Sequence, residues 1–371
     1  MTSEPSLPIS RIVANLPHRD LREMLRLVRL LFRLSQSASY REQIFPQLPE
    51  VARYDPGHAS LMMGYDFHLT ATGPKLIEVN TNAGGGYLAW LSEHQTGKIS
   101  TINLTQRYES RLLNSYLRDW SDFSRTEAPL NTIAVLDEDP QLQPLFPEML
   151  ACCDWLCEQG FDAQVVSPQQ LDVLAEGVYF RGKKIDLIYN RHCDFFLETD
   201  VMADLRTAYL AGTVCLSPNP FAYGLLADKR RMILWSDPQA LASLDLDVRE
   251  QEVLLDMVPR SLLFSDYQAD ELWAMRKTLI FKPVTRFGSR GVLLGKSITR
   301  KRFAELEPET TLVQDVVLPS IEKDSAGREF KVDLRLFVYR DHLLGLGARL
   351  YQGQVTNLRT EGGGFAPVRI T

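Results

Sequence analysis

The sequence predicts a multidomain protein of mixed class, α/β in its middle and α+β toward its end. Three features carry that reading. An early hairpin, Gly64 to Asn80, runs toward the glycine loop Gly84-Gly85-Gly86. From Asn131 onward, strand-like and helix-like segments alternate at the spacing of a parallel sheet, and from Asp228 onward hairpin-like strands follow a helical stretch. At 371 residues the chain exceeds one ordinary domain, for which roughly 150 residues is the usual size.

The first unit, 1–128, opens with Leu21, Leu25, Val28 and Phe32 at helical spacing beside a stripe of Arg22, Arg26, Arg29 and Arg33. Such a stripe marks the solvated face of an amphipathic helix. The hairpin follows, with Gly64-Tyr65-Asp66-Phe67-His68-Leu69, a Gly73-Pro74 turn, and Lys75 to Asn80. The second unit, 129–225, reads as strand Thr132 to Leu136, an apolar helix through Met149 and Trp155, Gly160, strand Ala163 to Val166 and strand Ile185 to Tyr189. Open α/β sheets bind ligands beyond the carboxyl ends of their strands, which makes Asn190-Arg191-His192 a candidate site. The third unit, 226–371, begins with a helix from Lys229 to Trp235. Strands are expected over Leu279 to Pro283, Gly291 to Gly295, Thr311 to Val317, Asp333 to Tyr339 and Leu343 to Leu350.

With 45% hydrophobic and 24% charged residues the chain can bury sizeable cores. Its formal charge of −6 gives no basic field for nucleic acid or an anionic membrane, so local cations must serve local anions. The start MTSEPSLPIS has no apolar run after basic residues, and no apolar stretch is long enough to span a bilayer; a cytoplasmic location is expected. Five cysteines, three of them crowded at Cys152, Cys153 and Cys157, match neither a disulfide framework nor a zinc spacing and read as reduced thiols.

Glu78-Val79-Asn80 carries the chemistry. A carboxylate and an amide oxygen two positions apart on a strand face the same side, and such oxygens hold Mg²⁺ between protein and phosphates. The candidate partner is Lys282-Pro283 followed by Gly288-Ser289-Arg290-Gly291, where glycines let backbone N–H groups approach phosphate oxygens; the alternative is plain hairpin punctuation. Gly291 to Ser297 is one residue too short for a Walker P-loop. Gln314 and Asp315 interrupt an apolar strand, so they either meet a nucleotide or form the wet side of an edge. Asp333 and Arg335 share a strand face, and Arg349, Asn357 and Arg359 precede Gly362-Gly363-Gly364, a grouping suited to anions.

In their order, these pieces resemble the ATP-grasp superfamily, and within it the glutathione synthetase-like ligases. Asp333-x-Arg335, Ala348-Arg349 and the glycine run close this chain, while Gly64-Tyr65-Asp66 and Glu78-Val79-Asn80 open it. The bacterial synthetases have the two groups in the opposite order; the eukaryotic ones share the order seen here. Tyr189-Asn190-Arg191, Asp228-Lys229, Phe281-Lys282-Pro283 and Leu358-Arg359-Thr360 extend the similarity from about Gly64 onward. The resemblance implies an ATP-grasp fold in circularly permuted order around an inserted α/β, Rossmann-like substrate domain.

It also implies roles. Lys229, Lys282 and the turn Gly288, Ser289 and Gly291 would hold ATP phosphates, and Gln314, Asp315 and Val317 would cradle adenine and ribose. Asp333 joins this nucleotide set; Asp66, Glu78 and Asn80 would ligate Mg²⁺. Arg349 and Arg335 are the expected catalytic residues. Arg191, Asn357 and Arg359 would clamp substrate carboxylate beneath a lid containing Gly363, and His192 either shuttles a proton from the amine or lines the cleft. The implied activity is an ATP- and Mg²⁺-dependent ligase joining a small-molecule carboxylate to an amine through an acyl phosphate; a regulatory pseudo-enzyme and a phosphotransferase are the alternatives. Homodimerisation is a family-level expectation. Three departures stand out: Arg286 replaces a metal-binding glutamate, Ala83 and Gly85 replace dipeptide-binding serines, and Gly64 replaces an arginine before the first aspartate strand. They argue against γ-glutamylcysteine as substrate.

Overall fold

The computed structural model describes residues 8–96, 104–285, 288, 291–357 and 360–371. Its centre is a six-stranded sheet that combines the two ends of the chain. The hairpin Met63–Thr70 and Gly73–Asn80 lies beside Glu329–Tyr339, which pairs in turn with His342–Tyr351 and then Gly364–Ala366. Ser320–Lys323 adds to the same sheet through Glu329–Tyr339.

Both faces of this sheet are covered. Helix His18–Gln36 buries Leu21, Met24, Leu27, Val28 and Leu31 against one face, meeting Phe67, Leu334 and Leu336. Each such side chain contributes about 1.5–3 kcal/mol on burial. Arg22, Arg26, Arg29 and Arg33 are left in solvent, as their stripe predicted. Helices Gly86–Thr96 and Leu104–Ser124 cover the other face, where Leu88 and Tyr108 meet Phe337 and Leu344. Among the described residues, no helix is long and apolar enough to cross a membrane.

The middle of the chain forms a parallel sheet in the order Cys215–Ser217, Leu187–Asn190, Thr132–Leu136, Asp162–Val166. Helix Phe146–Glu158 packs on it, and a small antiparallel sheet of Asp172–Leu174, Gly177–Phe180 and Lys183–Lys184, not anticipated from the sequence, branches from it. Another antiparallel sheet orders Ser261–Leu263, Thr311–Asp315, Leu279–Pro283 and Leu293–Leu294. The five cysteines are free thiols.

Several expected elements are corrected. The strand expected over Gly291 to Gly295 contains only Leu293–Leu294, because Gly291, like Gly288, takes the positive φ of a turn. The helix expected from Lys229 begins at Arg231; Asp228 accepts the Arg230 backbone N–H at 2.9 Å, and a π-helical turn, Tyr223–Ala227, precedes it. The glycine run is not a loose lid. Gly363 and Gly364 are buried, Gly364 opens a strand, and a Cβ on it would lie 2.3 Å from the Pro8 carbonyl oxygen. Positive φ and this close approach both require glycine there.

Candidate functional site

Strand register builds the site. Asp66 lies opposite Arg335 on one side and opposite Glu78 on the other, while Asp333 faces Arg349. The two-residue repeat of a strand puts Asp333 beside Arg335, and Glu78 beside Asn80. One sheet face thus carries three acids, two arginines and an amide.

Asp66 is fully buried. Arg335 donates from Nε to Oδ1 and from Nη2 to Oδ2, both at 2.6 Å, and Arg349 Nη2 reaches Oδ2 at 2.7 Å. Burial alone would raise its pKa, but the two guanidinium groups hold the carboxyl well below the usual range. Its oxygens are therefore committed to arginines, which corrects the expectation that Asp66 is a free metal ligand. Asn80 Nδ2 donates to Asp66 at 3.2 Å and to Glu78 Oε1 at 3.4 Å, so its own amide oxygen is not spent on either acid.

Asp333 differs. Arg349 and the Thr356 hydroxyl both donate to its Oδ2, whereas buried Oδ1 has no hydrogen-bond partner among the described residues. Burial pushes its carboxyl up to about 6, against the pull of Arg349. A buried, unsatisfied carboxylate oxygen is costly unless something compensates it.

Lys282 is buried on Leu279–Pro283, where Nζ donates to Gln314 Oε1 at 2.7 Å and to the Ile77 carbonyl at 3.1 Å. Burial lowers its pKa to about 8, opposed by Glu78 and assisted by Lys229. Lys282, Lys229, Glu78 and Asp228 line a cleft whose apolar wall includes Trp235, Met232 and Leu312. Gln314, expected to meet the nucleotide, has its side chain pinned between Lys282 and the Ser261 hydroxyl. Asp315 is exposed, and the Val317 carbonyl is already taken by His68 Nδ1 at 2.8 Å. Neither side chain of that pair lines the cleft.

Arg191 and Glu148 form a second buried cluster. Arg191 Nη2 donates to Glu148 Oε2 at 3.3 Å, and the backbone N–H groups of Gly85 and Tyr87 donate to the same carboxylate at 2.8–3.1 Å. A Cβ on Gly84 would lie 2.5 Å from Arg191 Nη2, and the Gly84 carbonyl accepts from Arg335 Nη1 at 3.2 Å. One glycine thus separates Arg191 from the arginine–aspartate face. His192 is buried, its Nδ1 accepting from the Asp194 N–H at 3.0 Å, and burial depresses its pKa.

Asn357 lies one residue from Thr356, and Gly363 is packed beneath the Leu350 carbonyl rather than open to a ligand. Ser289, Arg359 and Arg286 lie outside the described residues. Sequence reasoning missed Glu148, Ser261 and Thr356. Glu148 reads as an ordinary acid in the first turn of a helix, and the two hydroxyls have no distinguishing spacing.

No family model matches the sequence, and no curated protein matches it. Solved structures do. A glutathione synthetase-like effector of Globodera pallida, in its apo form, superposes with a TM-score of 0.62 at 10% identity, covering 98% of this chain and 90% of that one. A putative γ-glutamylcysteine synthetase of Methylobacillus flagellatus KT gives a TM-score of 0.51 at 11% identity, covering 94% of this chain and 87% of the other. This chain shares the fold of a glutathione synthetase-like protein.

Proposed function

We propose that the protein is an ATP- and Mg²⁺-dependent ligase that joins a small-molecule carboxylate to an amine, with its ATP-grasp segments in permuted order around an inserted α/β substrate domain. The observation that carries this reading is that Glu78 and buried Lys282 line one cleft, while Lys282 also feels the charge of Asp333, whose Oδ1 is unsatisfied among the described residues. Glu78, Asn80 and Asp333 are the oxygen-bearing residues that would hold a hard divalent cation, since the Asp66 oxygens already accept from Arg335 and Arg349. When bound, Mg²⁺ supplies charge neutralisation for the phosphates.

The chain's own residues do the rest. Lys282 and Lys229 grip phosphate oxygens, and Trp235, Met232 and Leu312 supply apolar walls for the base. The substrate carboxylate oxygen bonds to the γ-phosphorus as the bond to ADP breaks, giving an acyl phosphate. The amine then bonds to the carbonyl carbon and phosphate departs. Asp66 holds Arg335 and Arg349 rigid beside that centre, so charge developing there meets preorganised donors. Arg191 waits beyond Gly84 to orient the substrate.

A second reading, nucleotide binding without turnover, draws on the same saturation of Asp66, which thins the metal set. Nucleotide product analysis separates them: Mg-ATP and a pooled metabolite extract are incubated with wild type and with Glu78→Gln. Extract-stimulated ADP formation lost in the variant is expected. ATP binding without ADP would favour the regulatory reading, and AMP would refute the acyl-phosphate route.

A further inference from the structure

A second cavity, lined in part by Arg191, opens beside it. Its wall is aromatic: Tyr87, Trp90, Tyr108, Tyr116, Trp155 and Tyr189 line it. Tyr87 stacks on Trp90 at 5.2 Å, and Tyr116 meets Tyr189 edge-on at 6.0 Å. The rings come from three separate helices and the parallel sheet, so no single element's amphipathic pattern accounts for their convergence.

Charge decides what such a cavity accepts. Arg191 is matched inside by Glu148, whose carboxylate is further satisfied by the Gly85 and Tyr87 N–H groups. That pair is neutral. Exposed Glu109 also lines the cavity, and the Tyr87 phenol, raised first by burial, feels Glu109, Glu158 and Asp154 as well. The rim is therefore acidic, and aromatic faces attract cations. Through Arg191 and Gly84 the cavity adjoins the Arg335–Asp66 face.

We propose that this cavity is the amine subsite, and that it takes a primary amine on an aromatic or branched aliphatic body, with Glu109 at the rim drawing the ammonium group in and the rings holding the body. The inference rests on the ligase reading for its chemistry, but not for its binding. In the reaction the ammonium loses one proton and its nitrogen bonds to the acyl carbon as the carbon–oxygen bond to phosphate breaks. A second proton then leaves the nitrogen; one of the two ends on phosphate and the other in solvent.

The test is binding to the full chain, without turnover, read by tryptophan fluorescence and calorimetry. Phenethylamine and isoamylamine are expected to saturate. Glycine should bind about a hundredfold more weakly than phenethylamine for want of an apolar body, and phenylacetate about tenfold more weakly because its charge has the wrong sign. Leu112→Trp, which fills the cavity, should abolish amine binding while ATP affinity stays intact. Exposed Glu109→Lys tests the same site without a folding risk and should weaken the amines about fivefold. Phenylacetate binding as tightly as phenethylamine, or amine binding indifferent to both substitutions, overturns the proposal. Amine binding that behaves as expected with no ADP formed from any acid sinks the ligase reading and leaves the cavity assignment standing.

Discussion

Arg335 grips both oxygens of Asp66, Nε to Oδ1 and Nη2 to Oδ2 each at 2.6 Å, across 269 residues of sequence. The pair joins an early strand to a late one, and Arg349 completes it as a buried triad. Removing one partner of such a cluster leaves an uncompensated buried charge. Asp66→Asn should therefore lower unfolding free energy by about 3–5 kcal/mol in chemical denaturation. A loss below about 1 kcal/mol, the level of a surface pair, would mean that the arginines find other partners.

Asp333 sets a pH dependence of its own. Its carboxyl is raised from 3.8 to about 6 in the fold, so between those values the native state binds more protons than the unfolded chain. Stability should then fall as pH rises from about 4 to about 6. Denaturation midpoints of Asp333→Asn should lack that component of the slope, and unchanged slopes in wild type and variant would contradict it.

Lys282 behaves in the opposite sense for a cation. Burial lowers its pKa to about 8, and phosphate oxygens placed beside it would raise it again. ATP binding at pH 8–9 should take up protons, measured by calorimetry in buffers of different ionisation enthalpy, and Lys282→Met should remove the uptake. Proton release in wild type would show that phosphate is held elsewhere.

Gly84 tests the link between the two clusters. A Cβ there meets Arg191 Nη2 at 2.5 Å and Leu145 Cδ1 at 2.6 Å, so Gly84→Ala must displace one of them. The expected result is about a tenfold rise in KM for the carboxylate or amine with ATP affinity nearly unchanged. An equal loss of ATP affinity would show that the glycine serves the nucleotide cleft instead.

Much of this was legible because strand and helix periods are local. Thr132–Leu136 and Leu279–Pro283 coincide with the predicted strands, and the hairpin carrying Asp66, Glu78 and Asn80 was read within a residue or two. What Asp66 touches was not legible: a carboxylate on a strand looks the same whether it faces a metal or two guanidinium groups, and only the pairing of Met63–Thr70 with Glu329–Tyr339 decides. The glycine run misled for a similar reason. Glycines that open a loop and glycines that admit a neighbouring backbone share one composition, and here the neighbour is Pro8, at the far end of the sequence. Glu148 was hidden because two of its partners are backbone N–H groups, which leave no residue signature, and the third, Arg191, lies 43 residues away in sequence.

The central claim is carboxylate activation by phosphoryl transfer, and oxygen-isotope tracing tests it most directly. Acids labelled with ¹⁸O in the carboxylate would be incubated with the enzyme, Mg-ATP and amines, and the phosphate released would be analysed by mass. One ¹⁸O atom should appear in each phosphate formed, because the acid's oxygen leaves with the phosphoryl group. ADP and amide formed alongside unlabelled phosphate would contradict the account.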